Sequence, residues 1–156
     1  MWRLIALVET DADQILKIEN RSFSRAWRRS AFIEELSRSD SFSYGVNCTD
    51  SPIDRSIIAY ICYRIVCDEM HLLKIAVAPE WRSRGIGTWL LNECMKKEAA
   101  RGIDQILLEV RPSNRPALAM YGRMGFWQIG KRPKYYPDTR EDALVLSFNL
   151  QEVSWA

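Results

Sequence analysis

Three stretches of the chain carry residue types at spacings that could do chemistry. The first is the run from Val77 to Thr88, Val-Ala-Pro-Glu-Trp-Arg-Ser-Arg-Gly-Ile-Gly-Thr. An apolar strand pattern gives way at Pro79 to a basic, glycine-containing loop, and a helical pattern follows. Free backbone N–H groups at a helix start, together with the positive end of its dipole, attract anions. Gly85 and Gly87 would let the backbone approach a bulky pyrophosphate, and Arg82 and Arg84 would add countercharge. The pattern lacks the Gly-Lys-Ser/Thr of a P-loop and is not Gly-x-Gly-x-x-Gly, and a purely structural turn could have the same composition. The second stretch is Gln105 to Val110. Strand alternation puts Ile106, Leu108 and Val110 on one face, with Leu107, Glu109 and Arg111 on the other. Glu109 among apolar neighbours would be partly desolvated and able to take up a proton, or it could be a strand-end carboxylate paired with Arg111 at the surface. The third is the helix pattern after Asn114, where residues 114, 117, 118 and 121 share a face. The Tyr121 phenol there could deliver a proton to an adjacent leaving group, or it could pack the helix on a sheet.

The elements that must position these groups follow an α/β order. A first strand is expected at the N-terminus, where Glu9, Asp11 and Asp13 interrupt an apolar run too short for a secretion signal. Thr10, with Asp13 in the reciprocal position, resembles a capping box ahead of a helix through Ile15, Leu16 and Ile18 to about Asn20. Ser22 or Ser24 opens a second helix carrying Trp27, Phe32, Ile33 and Leu36. Strands are expected over Phe42–Cys48 and Ile57–Val66, with a hairpin turn at Cys67-Asp68 into Met70–Val77. Leu90, Leu91, Cys94, Met95 and Ala99 have helical spacing between Gly87 and Arg101, with Gly102 at the C-cap position. Ile103–Val110 is the next strand. Asn114 caps a further helix with Pro116 in its first turn, and that helix ends at Gly125. Strands over Phe126–Ile129 and Ala143–Leu150 complete one α/β domain, with no repeat and no linker.

Composition narrows the function classes. The 156 residues include 22 basic and 20 acidic side chains, a formal charge of +2, which argues against a nucleic-acid surface. The cluster Arg21, Arg25, Arg28 and Arg29 reads as a solvated helix end. No apolar run approaches the roughly 18 residues of a membrane span, so a cytoplasmic location is expected. Cys48, Cys62, Cys67 and Cys94 contain no C-x-x-C pair, and with His71 the only histidine, no metal site is expected. His71 alternates with Leu73, Ile75 and Val77 and reads as a packed strand residue.

The run Arg82-x-x-Gly85-x-Gly87 resembles the acetyl-CoA pyrophosphate loop of the GNAT N-acetyltransferases, with the pattern Gln/Arg-x-x-Gly-x-Gly/Ala. Leu108-Glu109-Val110-Arg111-Pro112-Ser113-Asn114, then Ala117, Tyr121 and Gly125-Phe126, resembles a second stretch of that family. Tyr135-Tyr136-Pro137 with Arg140-Glu141-Asp142-Ala143 is similar to the C-terminal stretch of its RimI-type members, which acetylate the N-terminus of ribosomal protein S18 in bacteria. The likeness is dense from about Asp68 to Leu150 and weak over the first forty residues. At one position it departs, since RimI-type chains tend to have Pro-Trp where this one has Ala26-Trp27.

The resemblance implies a single GNAT-like domain over residues 1–156, with a mixed central sheet of about six to seven strands and about four helices. It implies acetyl-CoA as co-substrate and a protein N-terminus, that of ribosomal protein S18, as acceptor, with no nucleic acid, membrane or metal. Glu109 would be the base and Tyr121 the acid. Arg82, Ser83, Arg84, Gly85, Ile86, Gly87, Thr88 and Asn114 would hold the cofactor, and the backbone of Ile75, Ala76 and Val77 would meet the acetyl carbonyl and pantetheine arm where two strands splay. Trp27, Tyr135 and Tyr136 would line the acceptor groove. A small-molecule amine as acceptor, or a non-catalytic acyl-CoA-binding module, are the alternatives.

Overall fold

A computed structural model describes residues 1–155. Seven strands form a mixed sheet in the order β1-β2-β3-β4-β5-β7-β6. In chain order the elements are β1 (Arg3–Ala6), α1 (Ala12–Ser22), α2 (Arg29–Leu36), β2 (Ser41–Asn47), β3 (Ala59–Val66), β4 (Glu69–Val77), α3 (Ile86–Ala100), β5 (Gln105–Val110), α4 (Arg115–Met124), β6 (Trp127–Arg132) and β7 (Ala143–Asn149). Contacts gather them into two compact units, residues 1–65 with 73–94, and residues 66–72 with 95 onward. The strand β4 contributes its first half to the second unit and its second half to the first.

In the first unit, β1, β2 and β3 are antiparallel neighbours, with Ile5 opposite Gly45 and Tyr44 opposite Ile61. Its core joins Ala12, Ile15 and Ile18 of α1 to Phe32 of α2, Tyr60 and Cys62 of β3 and Ala76 of β4. The α1 start differs from the capping box expected at Thr10. A single 3-10 turn, Glu9–Asp11, precedes α1, and the Asp11 carboxylate accepts the Val8 N–H at 2.8 Å. Asp13 instead pairs with Arg29. The second helix also starts later, at Arg29 rather than at Ser22 or Ser24. Ser22 still belongs to α1, its hydroxyl bonding back to the Ile18 carbonyl at 2.6 Å. Residues 23–28 form the connection, and Trp27 lies in it rather than on a helix.

In the second unit, β5 lies antiparallel to β7, which also pairs with β6. The alternation expected of β5 is present, with Ile106, Leu108 and Val110 buried and Glu109 half-buried. Tyr121, Phe126 and Phe148 form a chain of tilted rings with 5.4 Å between successive centroids. The helix α4 follows its sequence signals closely. Asn114 Oδ1 accepts the Ala117 N–H at 3.3 Å, Pro116 falls in the first turn, and Gly125 closes the helix at φ +99°. The parallel register of β4 with β5 runs from Glu69↔Gln105 to His71↔Leu107, whereas β4 continues to Val77 and β5 to Val110. The strand β6 is longer than expected and exposed along its whole length, and Ile129 forms a bulge between Gln128 and Gly130.

Candidate active site

The basic loop belongs to the first unit. After a 3-10 turn at Pro79–Trp81 the chain passes through two left-handed residues, Ser83 (φ 62°) and Gly85 (φ 83°), and α3 begins at Ile86. A left-handed conformation at a serine costs on the order of 1 kcal/mol and persists only where the surroundings hold it. Such turns gather successive N–H groups on one side, which is how backbone cradles an anion. Trp89 N–H bonds to the Gly85 carbonyl at 3.0 Å. The N–H groups of Ile86, Gly87 and Thr88, one turn earlier, are those that a helix start leaves for a ligand.

The two arginines are tied within this loop. Arg82 donates from Nε to the Val77 carbonyl at 2.9 Å and from its terminal nitrogen to Ser22 Oγ at 3.1 Å. Arg84 lies over the Trp81 ring at 4.8 Å and donates to the Glu80 carbonyl at 3.3 Å. Arg82 therefore fastens the loop to the end of β4 and to α1, a role that spacing did not indicate. Its charge remains in the loop, so the fit to a pyrophosphate rests on the N–H row with two fixed cations beside it.

Glu109 is the centre of a cluster in the second unit. It is paired with Arg132 rather than Arg111, Arg132 Nε lying 3.1 Å from Glu109 Oε1. The Tyr135 hydroxyl bonds to the Glu109 carboxylate, and that bond raises the phenol's pKa. Tyr135 and Tyr136 meet edge to face with centroids 5.1 Å apart. Burial pushes the Tyr136 phenol up to about 12, with the Glu109 charge adding to it. Arg111 stacks on the Tyr136 ring at 4.0 Å and grips Asp138 with two bonds, of 2.8 and 3.0 Å.

The loop bearing the two tyrosines is fixed by its own acidic residues. Glu141 accepts both the Ser113 N–H at 3.0 Å and the Ser113 hydroxyl at 2.8 Å, and Asp142 accepts the Lys134 N–H at 2.9 Å. The segment Arg140-Glu141-Asp142 is thus a brace that holds paired aromatics beside a carboxylate. Tyr121 is 5 % exposed, and burial, with Tyr136 nearby, raises its pKa well above the usual phenol range. It stays protonated at any physiological pH, the state an acid must start from.

The structure brings Glu109, Tyr135 and Tyr136 into one cluster, and Tyr121 is buried, packed on Phe126. Asn114 stands at the head of α4 with its carbonyl oxygen engaged as the helix cap. Trp27 belongs to a separate constellation in the first unit. Its backbone N–H bonds to Glu19 Oε2 at 2.8 Å, and Lys74 Nζ lies 5.4 Å from its ring centre. Arg132, Glu19 and Lys74 were not singled out from sequence. His71 is 39 % exposed, with Nε2 3.8 Å from Glu69 Oε1. Among the described residues there is no group of three or more His, Cys, Asp or Glu side chains able to hold a metal. No helix among them is long and apolar enough to cross a membrane.

A basic, glycine-containing loop opens a helix on one stretch of this α/β chain, and a half-buried carboxylate lies in a tyrosine cluster on another. The sequence matches the model of the acetyltransferase (GNAT) family over residues 12–126, and the chain belongs to that family. Among its relatives, the ribosomal protein bS18 alanine N-acetyltransferase of Escherichia coli (strain K12) is 32% identical over 153 residues, covering 96% of this chain and 99% of that one. The N-alpha-acetyltransferase of Saccharolobus solfataricus is 32% identical over 150 residues, covering 88% of this chain and 86% of that one. The crystal structure of the Escherichia coli ribosomal protein S18 alanine N-acetyltransferase superposes with a TM-score of 0.86 at 28% identity, over 99% of this chain and 97% of that one.

Proposed function

We propose that this chain uses acetyl-CoA to acetylate the N-terminal α-amine of a protein, and that its acceptor is ribosomal protein S18. The observation that carries the reading is the Glu109 cluster. A carboxylate with one tyrosine bonded to it and a second packed edge-on against the first is suited to receive a chain end that carries an ammonium group. Similarity to bS18 alanine N-acetyltransferases along nearly the whole chain supports the same acceptor. It also supports residues 1–156 acting as one acetyltransferase domain. A cytoplasmic location is part of the proposal, because a ribosomal acceptor is made there.

Acetyl-CoA, when bound, supplies an acetyl thioester. The turn from Ser83 to Thr88 offers backbone N–H groups to its pyrophosphate, and Arg82 and Arg84 stabilise the anionic charge from fixed positions. Ile75, Ala76 and Val77, in the part of β4 beyond its register with β5, are assigned the acetyl carbonyl and the pantetheine arm. Asn114 is assigned a cofactor contact through its side-chain amide N–H groups, because its oxygen caps α4. Glu109 takes the proton of the acceptor ammonium. An α-amine has a pKa near 8, so a carboxylate suffices as base. Tyr121 delivers its proton to the departing sulfur. Tyr135 and Tyr136 wall the acceptor end, and Trp27 is assigned to the acceptor side in the first unit.

The test is mass mapping after incubation with acetyl-CoA and a short peptide that begins with alanine and carries an internal lysine. Acetylation of the α-amine is expected. Acetylation only of the lysine, or of polyamines offered in place of the peptide, would transfer the activity to a different acceptor.

A further inference from the structure

Arg132 reaches Glu109 because of the bulge in β6. Directly opposed residues on neighbouring antiparallel strands project from the same face of the sheet. Glu109 opposes Val145, and Val145 opposes Gly130, so Gly130 shares the face of Glu109. Arg132, two residues on, shares it as well. Without the extra residue at Ile129 the register would slip by one, and Lys131 would stand in its place. With the bulge, Lys131 turns to the other face, its Nζ 4.0 Å from Asp142 Oδ2. A deviation of this kind next to a candidate base re-aims one particular cation.

The Arg132–Glu109 pair is also loosely held. Arg132 is 61% exposed, its Nε–Oε1 separation is 3.1 Å, and its second contact is the Tyr135 ring at 5.9 Å. An exposed pair is cheap to separate. We infer that Arg132 is a displaceable counter-ion of Glu109, a positioning residue that occupies the carboxylate until an acceptor ammonium replaces it. The inference rests on the reading of Glu109 as the base. An ammonium carries the charge needed to replace a guanidinium, whereas water does not. Arg132 therefore protects the thioester from hydrolysis while no acceptor is bound. In the reaction it prevents, water gives a proton to Glu109 and its oxygen bonds to the acetyl carbon. The carbon–sulfur bond breaks, acetic acid departs with the water oxygen and its remaining proton, and the sulfur takes the proton of Tyr121, which the proton on Glu109 later restores.

The experiment measures free thiol released from acetyl-CoA with no amine present, so it needs no peptide and is independent of the acceptor's identity. Arg132→Met should raise this acceptor-free release about three- to fivefold, the scale that freeing an exposed ion pair allows. Arg132→Lys should stay at the wild-type level. The double variant Arg132→Met/Glu109→Gln should lose the increase, since the freed base is what activates water. Acetyl-CoA affinity and thermal midpoint serve as folding controls, and Arg132→Gln carries the same expectation if the Met variant fails them. An unchanged release in a folded Arg132→Met protein, or an increase that survives Glu109→Gln, would overturn the inference. Acetylation of the alanine peptide by the wild type, measured separately, decides the proposed function on its own.

Discussion

The molecule holds two carboxylates with similar partners and opposite surroundings, one in each compact unit. Glu19 on α1 is 1% exposed and receives Lys74 Nζ at 2.8 Å, the Trp27 N–H at 2.8 Å and the Tyr60 hydroxyl. Lys74, itself 14% exposed, lies 3.8 Å over the Phe23 ring. Glu109 on β5 is 29% exposed and has one cation, 61% exposed, and one phenol, 47% exposed. Each carboxylate meets a cation, a tyrosine and nearby aromatic surface. The buried set is filled and water is excluded, so a lost partner leaves an uncompensated charge. The open set can exchange partners at small cost. The first arrangement fixes the connection between α1 and α2, and the second leaves a carboxylate open to a change of partner, as the proposed base requires.

Substitutions at the two sites should therefore separate activity from stability. The largest effect is expected at Glu109. Glu109→Gln should lower turnover on an alanine peptide by roughly 10²–10⁴-fold, while urea unfolding changes by less than about 1 kcal/mol. Glu19→Gln should do the reverse, costing about 3–5 kcal/mol of stability because Lys74 is left without its counter-charge. A Glu19→Gln protein as stable as the wild type would remove the contrast. Next in size is the anion loop. Gly85→Val should weaken acetyl-CoA at least tenfold, about 1.4 kcal/mol, by calorimetric titration. Gly102→Val has the same left-handed backbone, φ +86° against +83°, with nothing within 4 Å of an added Cβ, and should leave that affinity unchanged. The smallest effect is expected at Asp13, 81% exposed and paired with Arg29, where Asp13→Ala should shift unfolding by no more than about 0.5 kcal/mol.

Much of the fold was legible because local signals and tertiary structure agree. Asn114, Pro116 and Gly125 each do at α4 what their chemistry favours, and the alternation through Ile106, Leu108 and Val110 matches a strand with one buried face. The exceptions have tertiary causes. The connection after Ser22 resembles a helix start by composition, yet Glu19 draws the Trp27 N–H inward and delays α2 to Arg29. Thr10 is a good cap by type, but the residue at the α1 N-cap is Asp11, whose carboxylate bonds back to the Val8 N–H and is held by Arg55 Nε at 3.0 Å from a segment 44 residues away. In the candidate site, Glu109, Tyr135 and Tyr136 could be named from sequence. Arg132 could not, because strand counting assigns it to the wrong face unless the bulge at Ile129 is known.

The most direct test of the division of labour is a pair of pH–rate profiles on one alanine-initiated peptide, for Glu109→Gln and for Tyr121→Phe. With Glu109 as the base, the Gln variant should regain part of its lost rate as pH rises through the α-amine pKa near 8, since more acceptor is then already neutral. With Tyr121 as the acid, the Phe variant should fall by roughly 10²–10⁴-fold and show no such recovery, because hydroxide supplies no proton to the sulfur. Two profiles of the same shape, or a Tyr121→Phe rate near that of the wild type, would contradict these roles and return Tyr121 to the packing of α4 against Phe126.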